Sequence, residues 1–197
     1  MAFHLISQKT WYDFFESDMG KEYNREIVPN IDEMENMDLT PKRSTEHSAG
    51  YDLKIPFDMT FEPGKSYVIP TGFNWDPSDT CIMLGRDETV YDVHRSSMVV
   101  PTQYHLGLAC FLGLYPRSSL GFKYGFTLEN TVGIIDADYY NNPDNEGHIL
   151  VGFHVNKPLE LKQGDRLCQA IIQLFGVCSG EYHPFETRIG GVGSTGK

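Results

Sequence analysis

The chain has 197 residues, enough for one domain with a sizeable core, and 40% hydrophobic against 22% charged residues marks a globular rather than a disordered chain. A formal net charge of −11 with no basic run excludes a broad nucleic-acid-binding face, so any phosphate must be held by a few local cations, backbone N–H groups and a metal ion. No apolar run approaches the roughly 18 residues that a membrane span needs, and the first nine residues lack the regions of a signal peptide, so the expectation is a cytoplasmic protein without membrane or nucleic-acid partners.

Residues 3–7 suit a short first strand. Residues 11–37 differ in composition, run into the acidic stretch 31–38 (IDEMENMD), and read as a partly helical surface insertion. From Ser48 the texture changes. Runs at 51–55, 66–69, 106–114, 148–155 and 167–175 are rich in β-formers and aromatics. Turn signals separate them: Pro63-Gly64, Pro70-Thr71-Gly72, Asn141-Asn142-Pro143-Asp144-Asn145 and Gln163-Gly164-Asp165. Short strands punctuated in this way predict an all-β sandwich or barrel. Residues 74–100 form a polar excursion between two such runs, a second expected insertion. Residues 187–197 are glycine-rich and read as a flexible arm, and the whole of 1–197 reads as one domain. Four cysteines, at 81, 110, 168 and 178, form no CxxC pair. Cys110 and Cys168 fall in apolar runs and are expected as buried thiols.

Three segments carry polar groups that suit phosphate chemistry. In 130–139 (NTVGIIDADY), Asp136 and Asp138 lie two apart, which on a strand puts both carboxylates on one face. Such a pair suits a metal or a base that activates water, and an ordinary turn accounts for the spacing as well. Residues 114–123 (LYPRSSLGFK) gather Arg117, Ser118 and Ser119 around a predicted turn. An Arg fork, hydroxyls and turn N–H groups there suit a phosphate, and so does the reading of a solvated turn. The tail 191–197 formally matches GxxxxGK, but no Ser or Thr follows Lys197 and no helix can present its N-terminus, which argues against a P-loop.

The order of these pieces says more than any one of them. Ser48-Ala49-Gly50-Tyr51-Asp52-Leu53, then Pro116-Arg117-Ser118-Ser119-Leu120, then Asn130 through Tyr139, then Gly164-Asp165-Arg166-Leu167-Cys168-Gln169, then Gly190 through Gly196 resemble the five motifs of the trimeric dUTPase family, in family order. The resemblance implies a jelly-roll β-barrel that forms a homotrimer with three active sites between subunits. It implies Mg²⁺-dependent hydrolysis of dUTP to dUMP and pyrophosphate, which keeps uracil out of DNA and supplies dUMP for dTMP synthesis. By the same resemblance Asp136 activates the attacking water, and the Tyr139 ring packs on the deoxyribose and excludes a 2′-hydroxyl. Asn130, Ile134 and Ile135 match a hairpin that reads the uracil edge. Arg117, Ser118, Ser119 and Gln169 match groups around the phosphates and the water, and Asp52 an acid on the phosphate and metal side, acting indirectly. The metal is held mainly through substrate phosphates and water. Arg188, Ser194 and Thr195 belong to an arm that closes over the nucleotide.

The chain departs from the family pattern in three places. Residues 140–144 (YNNPD) lengthen the turn after Tyr139, Val192 stands where an aromatic usually stacks on uracil, and Arg188 is one residue closer to that position than usual. A related deaminase of dCTP would carry a glutamate where this chain has Gly152, which argues against deamination. A binding protein that keeps the fold and docks a basic partner on 31–38 is the reading from another class, and pyrophosphate release from dUTP separates the two.

Overall fold

The computed structural model describes residues 2–83, 90–92 and 109–176. Among these the chain runs β1 (Phe3–Leu5), α1 (Gln8–Glu16), α2 (Ile31–Met34), β2 (Lys42–Arg43), β3 (Tyr51–Lys54), β4 (Met59–Phe61), β5 (Ser66–Pro70), β6 (Phe73–Trp75), β7 (Cys81–Met83), β8 (Val90–Asp92), β9 (Ala109–Pro116), α3 (Ser118–Tyr124), β10 (Thr127–Leu128), β11 (Gly133–Asp136), β12 (Leu150–His154), β13 (Leu159–Leu161) and β14 (Arg166–Phe175). A five-stranded sheet has the order β11-β9-β14-β3-β2 and a three-stranded sheet the order β10-β12-β5. β1 pairs with β6, β4 with β13 and β7 with β8, and every ladder is antiparallel.

The two longest strands, β9 and β14, pair from Ala109↔Phe175 to Pro116↔Cys168 and form the centre of the larger sheet. Period-2 alternation turns Cys110, Leu112, Leu114, Cys168 and Ala170 inward, where all are buried. Ile69, Val151, Phe153 and Leu128 of the smaller sheet meet them in one core. The same alternation leaves Phe111, Gly113 and Tyr115 of β9, with Gln169, Ile171 and Gln173 of β14, on the outer face. Cys110 and Cys168 are free, buried thiols. Burial pushes the Cys168 thiol up to about 12 against the pull of Arg117, so it stays protonated and inert.

The surface placement expected for residues 11–37 is corrected. Trp11, Phe14 and Phe15 recur at the i, i+3, i+4 spacing of one helical face, and all three are buried, as are Ile31 and Met34 of α2. Each such side chain contributes roughly 1.5–3 kcal/mol on burial, so the segment is part of the core. Trp11 is fully buried and its Nε1 donates to the Pro29 carbonyl at 3.0 Å. The acidic side chains of the stretch, Asp32, Glu33, Glu35 and Asp38, are exposed. Ser7 caps α1, and Asn30 with Glu33 forms a capping box on α2.

The polar excursion expected over 74–100 also begins inside the core. Asn74 and Trp75 are buried in β6, which pairs with β1. Residues 84–89 and 93–108 lie outside the described residues, and so does the first part of the strand expected at 106–114; that strand continues to Pro116. His148 is buried near the Trp11 and Phe14 rings, with centroids at 6.1 and 6.2 Å. Its Nε2 accepts the Gly72 N–H at 3.0 Å, which makes it a neutral imidazole. Burial pushes its pKa down to about 3, and the Glu146 charge opposes this.

Candidate active site

Residues from three separate segments converge on the carboxylate of Asp52. It is buried on β3, directly opposite Gln169 of β14. Arg117 donates through its guanidinium to one oxygen of Asp52, and Arg166 reaches the other at 3.3 Å. Ser44 Oγ donates to that second oxygen at 2.8 Å. Arg117 and Arg166 are therefore side by side. Burial, and then the like charge of Arg166, push the Arg117 guanidinium below its ordinary value, although a guanidinium keeps its proton in a protein.

A break in the alternation of β14 creates this arrangement. The register shifts between Arg166↔Lys54 and Cys168↔Leu53, so Leu167 is an extra residue in the strand. Leu167 and Cys168 are both fully buried in succession, and this puts Arg166 and Gln169 on the same outward face as Asp52. Gln169 lies across Gly50, where a Cβ would stand 2.7 Å from its Oε1. Glycine at 50 is what lets that side chain cross, while Gln169 Nε2 donates to the Pro116 carbonyl at 3.4 Å.

The turn expected at 117–119 is instead the start of a helix. Arg117 occupies the N-cap position of α3, where its guanidinium, a donor only, cannot cap the helix and donates to Asp52 instead. Ser118 and Ser119 are exposed in the first turn, and the helix ends at Gly125 in the left-handed region.

Asp136 ends β11 and is exposed. The expected strand pairing of Asp136 with Asp138 on one face is not formed, because residues 137–139 turn into a short 3₁₀ segment and Asp138 leaves the ladder. The hairpin expected around Asn130 is also corrected. β10 pairs with β12 and β11 with β9, so the exposed Asn130 stands in a turn that carries the chain from one sheet to the other. Thr131 takes φ 63° in that turn. Ile134 is 58% exposed on the outer face, opposite Gly113, and Ile135 is half-buried on the inner face.

Asp136 and the Asp52 cluster share the outer face of one sheet but do not meet within the chain. Asp136 stands opposite Phe111 of β9, and Gln169 opposite Tyr115. Four residues span ~13 Å along the strands and two strand spacings ~10 Å across them, which leaves Asp136 and Gln169 ~16 Å apart.

Tyr139 is buried, and its hydroxyl is held from two sides. It accepts from Asn145 Nδ2 at 2.7 Å and faces the His148 carbonyl at 3.3 Å. The loop that follows is tied to itself and to the N-terminal helix. The Asn74 amide donates to the Glu146 carbonyl at 2.9 Å, and the Glu146 carboxylate accepts from Ser7 N–H at 2.8 Å and Thr10 Oγ at 2.6 Å. Burial opposes ionisation of Glu146, but these hydrogen bonds hold its carboxyl below its ordinary value. Tyr140 has its ring 6.4 Å from that of His4 and bonds to Asp76. At Gly152 the nearest side chain is that of Glu129, which pairs with His154 at 3.3 Å on the smaller sheet, away from both Asp52 and Asp136.

Arg188, Val192, Ser194, Thr195 and the arm 187–197 lie outside the described residues. Ser44 and Arg166 bond to Asp52, and Asn145 to Tyr139, contacts that the motifs alone do not indicate. Only the register shift at Leu167 reveals which way Arg166 faces.

A dUTPase family model matches residues 38–101. The chain is 37% identical over 159 residues to the deoxyuridine 5′-triphosphate nucleotidohydrolase of Lactococcus lactis subsp. lactis (strain IL1403), covering 79% of this chain and 87% of that protein. It is 32% identical over 163 residues to the protein of the same name from Nautilia profundicola, covering 81% and 92%. Among solved structures, the dUTPase from Streptococcus mutans superposes with a TM-score of 0.55 at 27% identity, covering 91% of this chain and all of that one. With its all-β architecture and this degree of identity, the chain belongs to the dUTPase family.

Proposed function

We propose that this chain is a dUTP diphosphatase that hydrolyses dUTP to dUMP and pyrophosphate, with Asp136 as the base for water. The observation that carries the reading is the convergence of Arg117, Arg166 and Gln169 around Asp52 in an otherwise acidic chain. Two adjacent guanidiniums repel each other and share a single carboxylate. A polyphosphate arriving between them relieves that repulsion and receives forked donors, with Ser118 and Ser119 beside it.

A magnesium ion fits the donor set in one way only. Asp52 already accepts from Arg117, Arg166 and Ser44, and no group of three His, Cys, Asp or Glu residues suited to a metal occurs among the described residues. The protein side therefore suits an ion carried in on the triphosphate and held by its oxygens and water, with Asp52 acting indirectly through the arginines. When bound, such an ion offsets phosphate charge and fixes the chain for in-line attack at the α-phosphorus. Asp136 takes a proton from the water, Tyr139 walls off the ribose 2′ position, and the turn at Asn130 with the backbone through Ile134 and Ile135 faces the uracil edge.

The ~16 Å between Asp136 and Gln169 supports a homotrimer in which one chain's Asp136 faces a neighbour's Arg117 and Gln169. The exposed Ile134 and Phe175 on the outer face supply apolar area for that contact. Pyrophosphate release from dUTP, UTP, dCTP and dTTP with Mg²⁺ tests the reading. Release confined to dUTP supports it. No release from dUTP, or ammonia from dCTP, overturns it.

A further inference from the structure

We infer that Asn145 is a positioning residue for sugar selection, holding the Tyr139 ring through its hydroxyl; the inference rests on the assignment of Tyr139 as the wall against a 2′-hydroxyl. It lies in the lengthened turn that sets this chain apart from its family's pattern, so the turn becomes part of the site's frame.

The orientation of the two asparagine amides follows from backbone groups. Asn142 is buried, and its Oδ1 accepts the N–H of Asp144 at 3.0 Å and of Asn145 at 3.2 Å. Its Nδ2 is thereby fixed as the donor side, and donates to the Tyr139 carbonyl at 3.0 Å and to Asn145 Oδ1 at 2.7 Å. Asn145 Oδ1 also accepts the Gly147 N–H at 3.2 Å. The Asn145 amide is left with its Nδ2 pointing at the Tyr139 hydroxyl, 2.7 Å away. The hydroxyl can spend its one proton on the His148 carbonyl, since Asn145 supplies the other bond.

The backbone of the loop is sterically constrained where it passes Tyr139. Asn141 and Glu146 hold φ 54° and 59°, and Gly147 holds φ 77° with a Cβ site only 2.6 Å from the Tyr139 carbonyl. No side chain fits there without moving the Tyr139 backbone. A ring pinned at backbone and hydroxyl keeps a fixed face, and discrimination of one oxygen atom requires that fixity.

The test uses the full chain and compares (kcat/KM) for dUTP and UTP on the same preparation. Asn145→Ala removes the donor to Tyr139 and, unlike an aspartate, offers the hydroxyl no acceptor in its place. Loss of folded enzyme lowers both substrates equally, so their ratio reports positioning alone. The dUTP-over-UTP ratio should fall about three- to tenfold, the weight of one net hydrogen bond. In a Tyr139→Phe background, which lacks the hydroxyl, Asn145→Ala should change the ratio by less than about twofold. An unchanged ratio in Asn145→Ala, while Tyr139→Ala erodes it, overturns the role of Asn145 and leaves that of Tyr139. An unchanged ratio in Tyr139→Ala overturns both. An equal loss with and without the hydroxyl overturns the route through Tyr139.

Discussion

Arg166 and Gln169 share the outer face of β14 although they are an odd three positions apart, because Leu167 is an extra residue turned into the core. Without that shift Arg166 would face inward and Asp52 would lose one of its two guanidiniums. Arg166 is half-exposed while Arg117 is mostly covered, with side chains 51% and 24% accessible. The two should therefore differ when removed. Arg166→Ala should raise KM for dUTP about tenfold, the scale of one charged hydrogen bond, with little change in thermal midpoint. Arg117→Ala should raise KM and also lower the midpoint, because it leaves the buried Asp52 with only the more exposed Arg166 as a cation partner. Steady-state kinetics and thermal unfolding of both variants check this; equal midpoints would show that Arg117 has no structural share.

Asp136→Asn keeps the shape of the side chain and removes its basicity. Because Asp136 is exposed at the end of β11, the change should leave the fold intact. kcat should fall about 10²-fold or more while KM moves little, the pattern of an interaction made in the transition state. Near-normal turnover would take the base role away from Asp136.

His148 predicts an acid-side loss of stability. Its folded pKa is about 3, depressed by burial, whereas an unfolded histidine titrates near 6.5. Between these values the unfolded chain takes up a proton that the folded chain refuses. Stability from this group is thus complete above about pH 6.5 and is lost as pH falls, at about tenfold in the folding equilibrium per pH unit. His148→Gln retains an acceptor for the Gly72 N–H and cannot titrate. Denaturant midpoints measured from pH 7 to pH 4 should fall less steeply in the variant, and parallel slopes would assign the acid sensitivity elsewhere.

The β-strands were legible because alternating β-formers and turn residues act locally, and five of the predicted runs align with β3, β5, β9, β12 and β14 to within a few residues. The register shift at Leu167 was not, since two successive apolar residues read the same whether a strand is regular or bulged. α1 carried its signal in Trp11, Phe14 and Phe15, but two turns give little periodicity, and the acidic stretch at 31–38 drew the segment toward the surface. Asn142 and Asn145 read as turn formers. Their amides also hold Tyr139, and that bond depends on which backbone N–H groups face them, which only the folded loop determines.

Within one chain Asp136, the proposed base, lies ~16 Å from Gln169, so one subunit should be unable to build the whole site. At dUTP well below KM, subunits carrying Asp136→Asn and subunits carrying Arg117→Ala are each expected to keep about a tenth of wild-type activity or less. Unfolded together in equal amounts and refolded, they should form mixed trimers. A shared site that takes Asp136 from one chain and Arg117 from another is intact only when each comes from the subunit that retains it. Random assortment makes about one quarter of sites intact, so activity should rise to about a quarter of wild type. The rise should appear only after exchange, and should scale with the product of the two subunit fractions. If exchange is demonstrated by mass and activity stays at the sum of the two parents, Asp136 and Arg117 serve one chain's own site, and the homotrimeric assignment of the site fails with it.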